Sequence, residues 1–231
     1  MKIAEIFHSI QGEGELTGVP SVFVRTSGCN LRCKWCDTPY ASWHPEGVEM
    51  EVSAIVSRVR EFDCPHVVLT GGEPMLAPGV RELARAITGH GIHLTIETAG
   101  TLAPDDIACD LASVSPKLAS STPPPEMFGE TWTRRHEESR IRPEVLREWA
   151  ANYRCQMKFV VSGPADLDEI ATIRESVGAS LAPASILLMP EGVTPEELAA
   201  RRDFVIAACL RFGYRYCHRL QIDLFGNTKG T

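Results

Sequence analysis

Short runs of Val, Ile and Leu alternate along this chain with stretches where apolar residues recur every third or fourth position. The runs predict strands at Lys2–Phe7, Ser21–Thr26, His66–Thr70, Ile92–Glu97, Leu111–Ser115, Gln156–Val161, Ser185–Met189 and Tyr216–Leu224. The spaced sets predict helices. Val52, Ile55, Val56, Val59 and Phe62 mark the first, and Val80, Leu83, Ala84 and Ile87 the second. Leu167, Ile170, Arg174 and Val177 form a weaker set, as do Leu198, Val205, Ile206 and Cys209. Ser53 is placed to cap the first helix, and Pro78 and Pro195 suit the first turns of later ones. Most strand runs are continuously apolar rather than alternating, the pattern of strands buried on both faces. A repeating strand–helix unit of this kind builds a parallel sheet. About six units fall short of a closed barrel, so the expected fold class is α/β, a partial parallel β/α barrel. Residues 1–231 suit one domain with a good core.

One segment breaks the rhythm. Leu118–Arg140 carries Ser-Ser-Thr-Pro-Pro-Pro, then Gly129, then Arg134-Arg135-His136-Glu137-Glu138. It reads as a long surface insertion rather than a linker between domains.

Composition alters this picture little. Hydrophobic residues at 44% and charged residues at 23% are ordinary for a soluble globular protein. A net charge of −7 gives no basic footprint for nucleic acid. No run approaches the roughly 18 apolar residues of a membrane span, and none near Met1 resembles a secretory leader. A cytoplasmic protein, without nucleic-acid or membrane partners, is the expectation.

Cysteine placement changes the picture most. Of eight cysteines only Cys29, Cys33 and Cys36 cluster, separated by three residues and then two, just after the strand run Ser21–Thr26. The other five lie singly in apolar segments, where Cys acts as a small hydrophobe. A disulfide scaffold is therefore excluded. Three thiolates are too few for a closed tetrahedral zinc site and one short of an ordinary 4Fe–4S site. A cluster with one iron left open to a non-protein ligand reconciles the count.

The other unusual residues fall at successive strand ends. Thr70-Gly71-Gly72-Glu73-Pro74, Glu97-Thr98-Ala99-Gly100-Thr101 and Ser115-Pro116-Lys117 each follow a strand, as do Ser162-Gly163 and Met189-Pro190. Parallel β/α folds gather their sites at the carboxyl ends of the strands, so these ends can converge on the open iron. Gly71-Gly72 leaves peptide groups open to a ligand, Glu73 can accept a bond from an ammonium group, and Ser115 with Lys117 can hold a carboxylate. Each motif alone is equally an ordinary turn; their weight comes from placement. The loop Ser9-Ile10-Gln11-Gly12-Glu13-Gly14-Glu15 reads by local composition as a solvated turn.

Three cysteines so spaced, with an aromatic before the last and Gly-Gly-Glu-Pro after the next strand, resemble the radical S-adenosylmethionine (SAM) superfamily. Ile10–Gly14, Thr17–Pro20, Arg25, Gly28-Cys29, Trp35–Thr38, Val68–Pro74, Ile96–Thr98 and Ser115–Lys117 resemble its 7-carboxy-7-deazaguanine synthase family. That resemblance implies a lyase converting 6-carboxy-5,6,7,8-tetrahydropterin to 7-carboxy-7-deazaguanine with loss of ammonia, on the route to queuosine and related deazapurines. It implies a 4Fe–4S cluster on Cys29, Cys33 and Cys36, and SAM held by Trp35, Cys36, Asp37, Gly72, Glu73, Ser115, Pro116, Lys117 and Met189. It implies Mg²⁺ on Thr38, and the pterin on Ile10, Gln11, Gly12, Glu13, Arg25, Thr70 and His218. The radical arises on SAM, so no side chain is expected to abstract hydrogen. A homodimer and an external flavodoxin- or ferredoxin-like electron donor are further expectations. Lys158, mid-strand, is left open between ligand binding and pairing with a carboxylate, and no role is carried to the tail Asn227–Thr231.

Two other readings compete. One is a radical SAM enzyme that activates a glycyl-radical partner, but that class lacks the Gln-Gly-Glu-Gly and Arg25 constellation. The other is a metal-stabilised binding module, for which a second Cys-x-x-Cys pair is wanting.

Overall fold

The computed structural model describes all residues, Met1–Thr231. Nine strands form one sheet: β1 Lys2–Ile10, β2 Pro20–Thr26, β3 Val48–Glu49, β4 His66–Gly71, β5 His93–Thr98, β6 Leu111–Val114, β7 Cys155–Val161, β8 Ile186–Pro190 and β9 Arg215–Tyr216. Their order is β3-β1-β2-β4-β5-β6-β7-β8-β9. From β2 to β9 every neighbouring pair is parallel, with β1 antiparallel to both β2 and β3 at one edge. The partial parallel barrel is therefore present, with an antiparallel edge that the apolar pattern did not reveal.

Burial explains why these residues are strands. All four residues of β6 and all five of β8 are buried, as are Val67–Thr70 of β4, because helices cover the outer face and side chains fill the inner one. The helices Val52–Arg60 and Val80–Gly89 bury the expected faces, Ile55, Val56 and Val59 in one and Val80, Leu83, Ala84 and Ile87 in the other. Together with Trp149 and Phe159 they belong to one continuous core.

Several local expectations are corrected. Ser53 lies inside its helix, whose N-cap is Glu51, and Pro78 precedes a helix capped by Gly79. Pro195 does open Pro195–Phe212, behind a Thr194 cap that Glu197 closes into a reciprocal box. Ile206 of that helix is exposed rather than buried. Tyr216–Leu224 is not one strand: pairing stops after Tyr216 and Leu220–Phe225 is a helix. An unexpected helix, Pro143–Asn152, buries Val145, Leu146 and Trp149.

The insertion is likewise structured. A short turn at Ala119–Ser121 leads to helices Pro125–Phe128 and Glu130–Ser139, and His136 is fully buried. The segment packs against the cysteine loop.

Candidate active site

At the carboxyl ends of the strands lies a cavity of about 450 Å³. Its wall takes Arg25 from β2, Thr70 and Gly71 from β4, Glu97 and Thr98 from β5, Lys158 and Val160 from β7 and Met189 from β8. Cys29, Cys33, Trp35, Cys36, Asp37 and Thr38 enter from the cysteine loop, and Ile10, Gln11, Gly12 and Glu13 from the loop after β1. Gly72, Ser115 and Lys117 line it too.

The glycine pair has a different physical reason from the one expected. A Cβ on Gly72 would lie 2.2 Å from the Gly28 carbonyl and 2.5 Å from that of Ala41, and one on Gly71 would lie 2.4 Å from the Thr26 carbonyl. Glycine here lets the backbone of the cysteine loop close onto the end of β4, and the Glu73 amide donates to Gly28 O at 2.8 Å.

Glu73 sits beneath the cavity wall rather than on it. It is 1% exposed. Its carboxylate accepts from Met75 N at 3.1 Å, Thr98 Oγ1 at 2.8 Å and Ala99 N at 2.8 Å. Burial raises its pKa, and those donors only partly oppose the rise. Glu73 therefore ties the ends of β4 and β5 together, in place of the expected ammonium contact. Pro116 also lies off the wall, whereas Lys117 Nζ donates to Ser115 Oγ at 2.8 Å on it.

Burial pushes the Cys29 thiol up to about 11 and Cys33 to about 12, and it raises Cys36 too. Without a bound cation three neighbouring thiolates would repel one another, so these groups suit a metal that displaces their protons. No three or more His, Cys, Asp or Glu side chains converge as a single ion requires. A multi-iron cluster asks less, since each sulfur meets its own iron. The donor set thus fits the cluster inferred from the cysteine count. Thr38 Oγ1 lies 3.8 Å from Cys36 Sγ and lines the cavity beside Asp37.

Arg25 faces the cavity already braced. Its Nε donates to Glu5 Oε1 at 2.7 Å, and Tyr40 OH donates to the same oxygen at 2.5 Å. Glu5 and Arg25 are register partners across β1 and β2.

The largest surprise is a buried ionic network. Lys158 Nζ meets Glu13 Oε2 at 2.5 Å and Glu97 Oε1 at 3.4 Å, so it pairs with two carboxylates while it also lines the cavity. Arg219, 6% exposed, sends each of its nitrogens elsewhere: Nε to Glu13 Oε1 at 3.0 Å, Nη1 to Gly192 O at 2.6 Å and Nη2 to Asp37. Gln221 Nε2 donates to Glu13 Oε1 at 2.7 Å, and the Leu220 amide donates to Gly12 O at 3.0 Å. Burial alone would raise Glu13, but Lys158 and Arg219 outweigh it and hold the carboxyl well below the usual range. A Cβ on Gly12 would strike Gln221 Oε1, so the loop expected to be a solvated turn is instead clamped by residues 219–221.

His218 is the misplaced residue. It is 40% exposed on its side chain, pairs with Asp223 at 2.6 Å and does not line the cavity. Its neighbour Arg219 does. The tail left without a role also borders the site, through Asn227, Thr228, Lys229 and Thr231.

This fold and cysteine-lined cavity define a radical SAM enzyme, and residues 23–121 match the radical SAM superfamily. The chain is 45% identical over 240 aligned positions to the 7-carboxy-7-deazaguanine synthase of Halobacterium salinarum, covering all of this chain and 93% of that one. It is 44% identical to that of Rhodopirellula baltica, covering 99% and 88%. The chain belongs to the 7-carboxy-7-deazaguanine synthase family. The crystal structure of QueE from Escherichia coli shares the fold, with a TM-score of 0.68 at 23% identity over 94% of this chain and 92% of that one.

Proposed function

We propose that this cavity carries out the radical ring contraction of 6-carboxy-5,6,7,8-tetrahydropterin to 7-carboxy-7-deazaguanine, with loss of ammonia. The observation that carries the reading is the meeting of the Gln11–Glu13 loop and the cysteine loop on one cavity, joined through Arg219. When bound, the cluster and SAM supply the hydrogen-abstracting radical. The chain's own residues position and shield. Ser115, Lys117 and Gly72 border the space for the methionine end of SAM, with Trp35 and Asp37 beside it. Arg25, its Nε held by Glu5, presents a planar fork to the substrate carboxylate, a geometry that Lys does not reproduce. Gln11 offers both donor and acceptor to a pterin edge, and Thr70 adds a hydroxyl. Thr38 would supply one oxygen to Mg²⁺, an ion that completes its shell from water and substrate oxygens.

A one-electron donor protein, a homodimeric state and a cytoplasmic location accompany this reading. No helix is long and apolar enough to cross a membrane. Anaerobically purified protein should be brown, with about four irons per chain. Colourless protein holding one tight zinc contradicts the reading. SAM cleavage coupled to radical formation on a partner protein would favour the activating-enzyme class instead.

A further inference from the structure

The 118–140 segment has no part in the chemistry above, yet it buries a histidine against the cysteine loop. His136 is 0% exposed. Its Nδ1 receives the backbone N–H of Arg32, between Cys29 and Cys33, at 3.1 Å. Its Nε2 lies 2.9 Å from Ser121 Oγ, and Ser121 Oγ donates to Leu118 O at 2.6 Å. A backbone amide can only donate, so Nδ1 must accept. Ser121 spends its one proton on Leu118, so Nε2 must carry the imidazole hydrogen. The relay runs one way, from the Arg32 amide through a neutral imidazole and a hydroxyl to a carbonyl.

The same segment makes further contacts with the loop. The Lys34 amide donates to Ser121 O at 2.8 Å, and Trp35 Nε1 donates to Ser120 O at 3.1 Å. The Arg32 guanidinium stacks 4.0 Å from the Trp132 ring centroid. On another side, the Ala119 amide donates to Glu169 Oε2 at 2.8 Å, and Arg140 pairs with Glu169 as well. The segment is therefore anchored to the helix Pro164–Val177 while it grips Arg32, Lys34 and Trp35. Those residues lie between the cysteines, where a loop without regular structure has few backbone bonds of its own.

We propose that His136 is a positioning residue for the metal centre: by accepting the Arg32 amide it holds the loop of Cys29, Cys33 and Cys36 in the shape that receives and retains the cluster. The role needs an acceptor at Nδ1, not imidazole bulk. Asn places Oδ1 where Nδ1 stands, and Leu supplies volume without an acceptor.

The test uses hydrogen exchange and iron retention on anaerobically prepared His136→Leu, His136→Asn and wild-type protein. His136→Leu should speed exchange of the Arg32 and Lys34 amides roughly tenfold and hasten iron loss to a chelator, while core strand amides keep their protection. His136→Asn should restore most of both. Wild-type protection of Arg32 in the Leu variant overturns the proposal, and so does an Asn variant as loose as the Leu one. Should His136→Leu fail to fold, Ser121→Ala removes only the hydroxyl that orients the imidazole. It should expose the same two amides selectively, and unchanged protection there overturns the proposal equally.

Discussion

Arg219 Nε donates to Glu13 Oε1 at 3.0 Å across 206 residues of chain, and the opposite end of the same guanidinium meets Asp37. One buried side chain thus joins the loop beside the proposed pterin site to the residue between Cys36 and Thr38. Replacing it by Met leaves two carboxylates short of a partner. Breaking a buried pair from one side costs about 3–5 kcal/mol. Glu13 keeps Lys158 and Gln221, and Asp37 reaches water, so Arg219→Met should lose stability near the lower end of that range. Urea unfolding checks this; a loss under about 0.5 kcal/mol, ordinary for a surface site, contradicts it.

Arg25→Lys should leave cluster content and SAM affinity unchanged, because neither depends on the guanidinium plane. Losing a charge-assisted bond to a substrate carboxylate should lower kcat/KM by roughly tenfold to a hundredfold. Steady-state kinetics at limiting pterin reads the effect. Full activity there removes Arg25 from substrate binding.

Gly72→Ala tests the closure of the cysteine loop onto β4. The new methyl meets two backbone carbonyls rather than flexible side-chain ends. Overpacking of that kind costs about 1–3 kcal/mol, and here the strain falls on the cysteine loop. Reduced iron content together with a lower unfolding midpoint is expected. A variant equal to wild type in both shows that the loop has room to shift.

Much of the site could be read from the sequence because its parts are local patterns. Three cysteines within eight residues, and glycine or hydroxyl motifs just after apolar runs, announce themselves by spacing. Arg219 does not: its carboxylate partners lie 182 and 206 residues away, and nothing next to it signals pairing. Residues 216–224 are too short a run to separate strand from helix, and the family resemblance points to His218 rather than to Arg219 beside it. The 118–140 segment misleads for another reason. Its prolines and charges are those of a surface loop, and a single inward-facing His136 carries no periodicity that marks a docked element. Glu73 shows the converse, a recognisable motif whose carboxylate serves the scaffold beneath the wall.

The same buried histidine sets a pH dependence. Burial lowers His136 to about 4 from its ordinary 6.5. Between these values the unfolded chain takes up a proton that the folded chain refuses, so stability falls as pH drops from 6.5 toward 4. The contribution approaches about 3 kcal/mol at full effect. Urea denaturation at several pH values should show wild type losing more stability than His136→Asn across that window. Parallel curves would mean that His136 titrates alike in both states.

The central claim is that one cavity brings the cysteine loop and the Gln11–Glu13 loop to the same substrate. Its most direct test is an anaerobic assay with 6-carboxy-5,6,7,8-tetrahydropterin, SAM, Mg²⁺ and a strong reductant, with products identified by mass spectrometry. The account predicts 7-carboxy-7-deazaguanine and ammonia from wild type, and neither product nor SAM cleavage from Cys33→Ala. Cluster-loaded wild-type protein that cleaves SAM to 5′-deoxyadenosine yet leaves the pterin unchanged would contradict it.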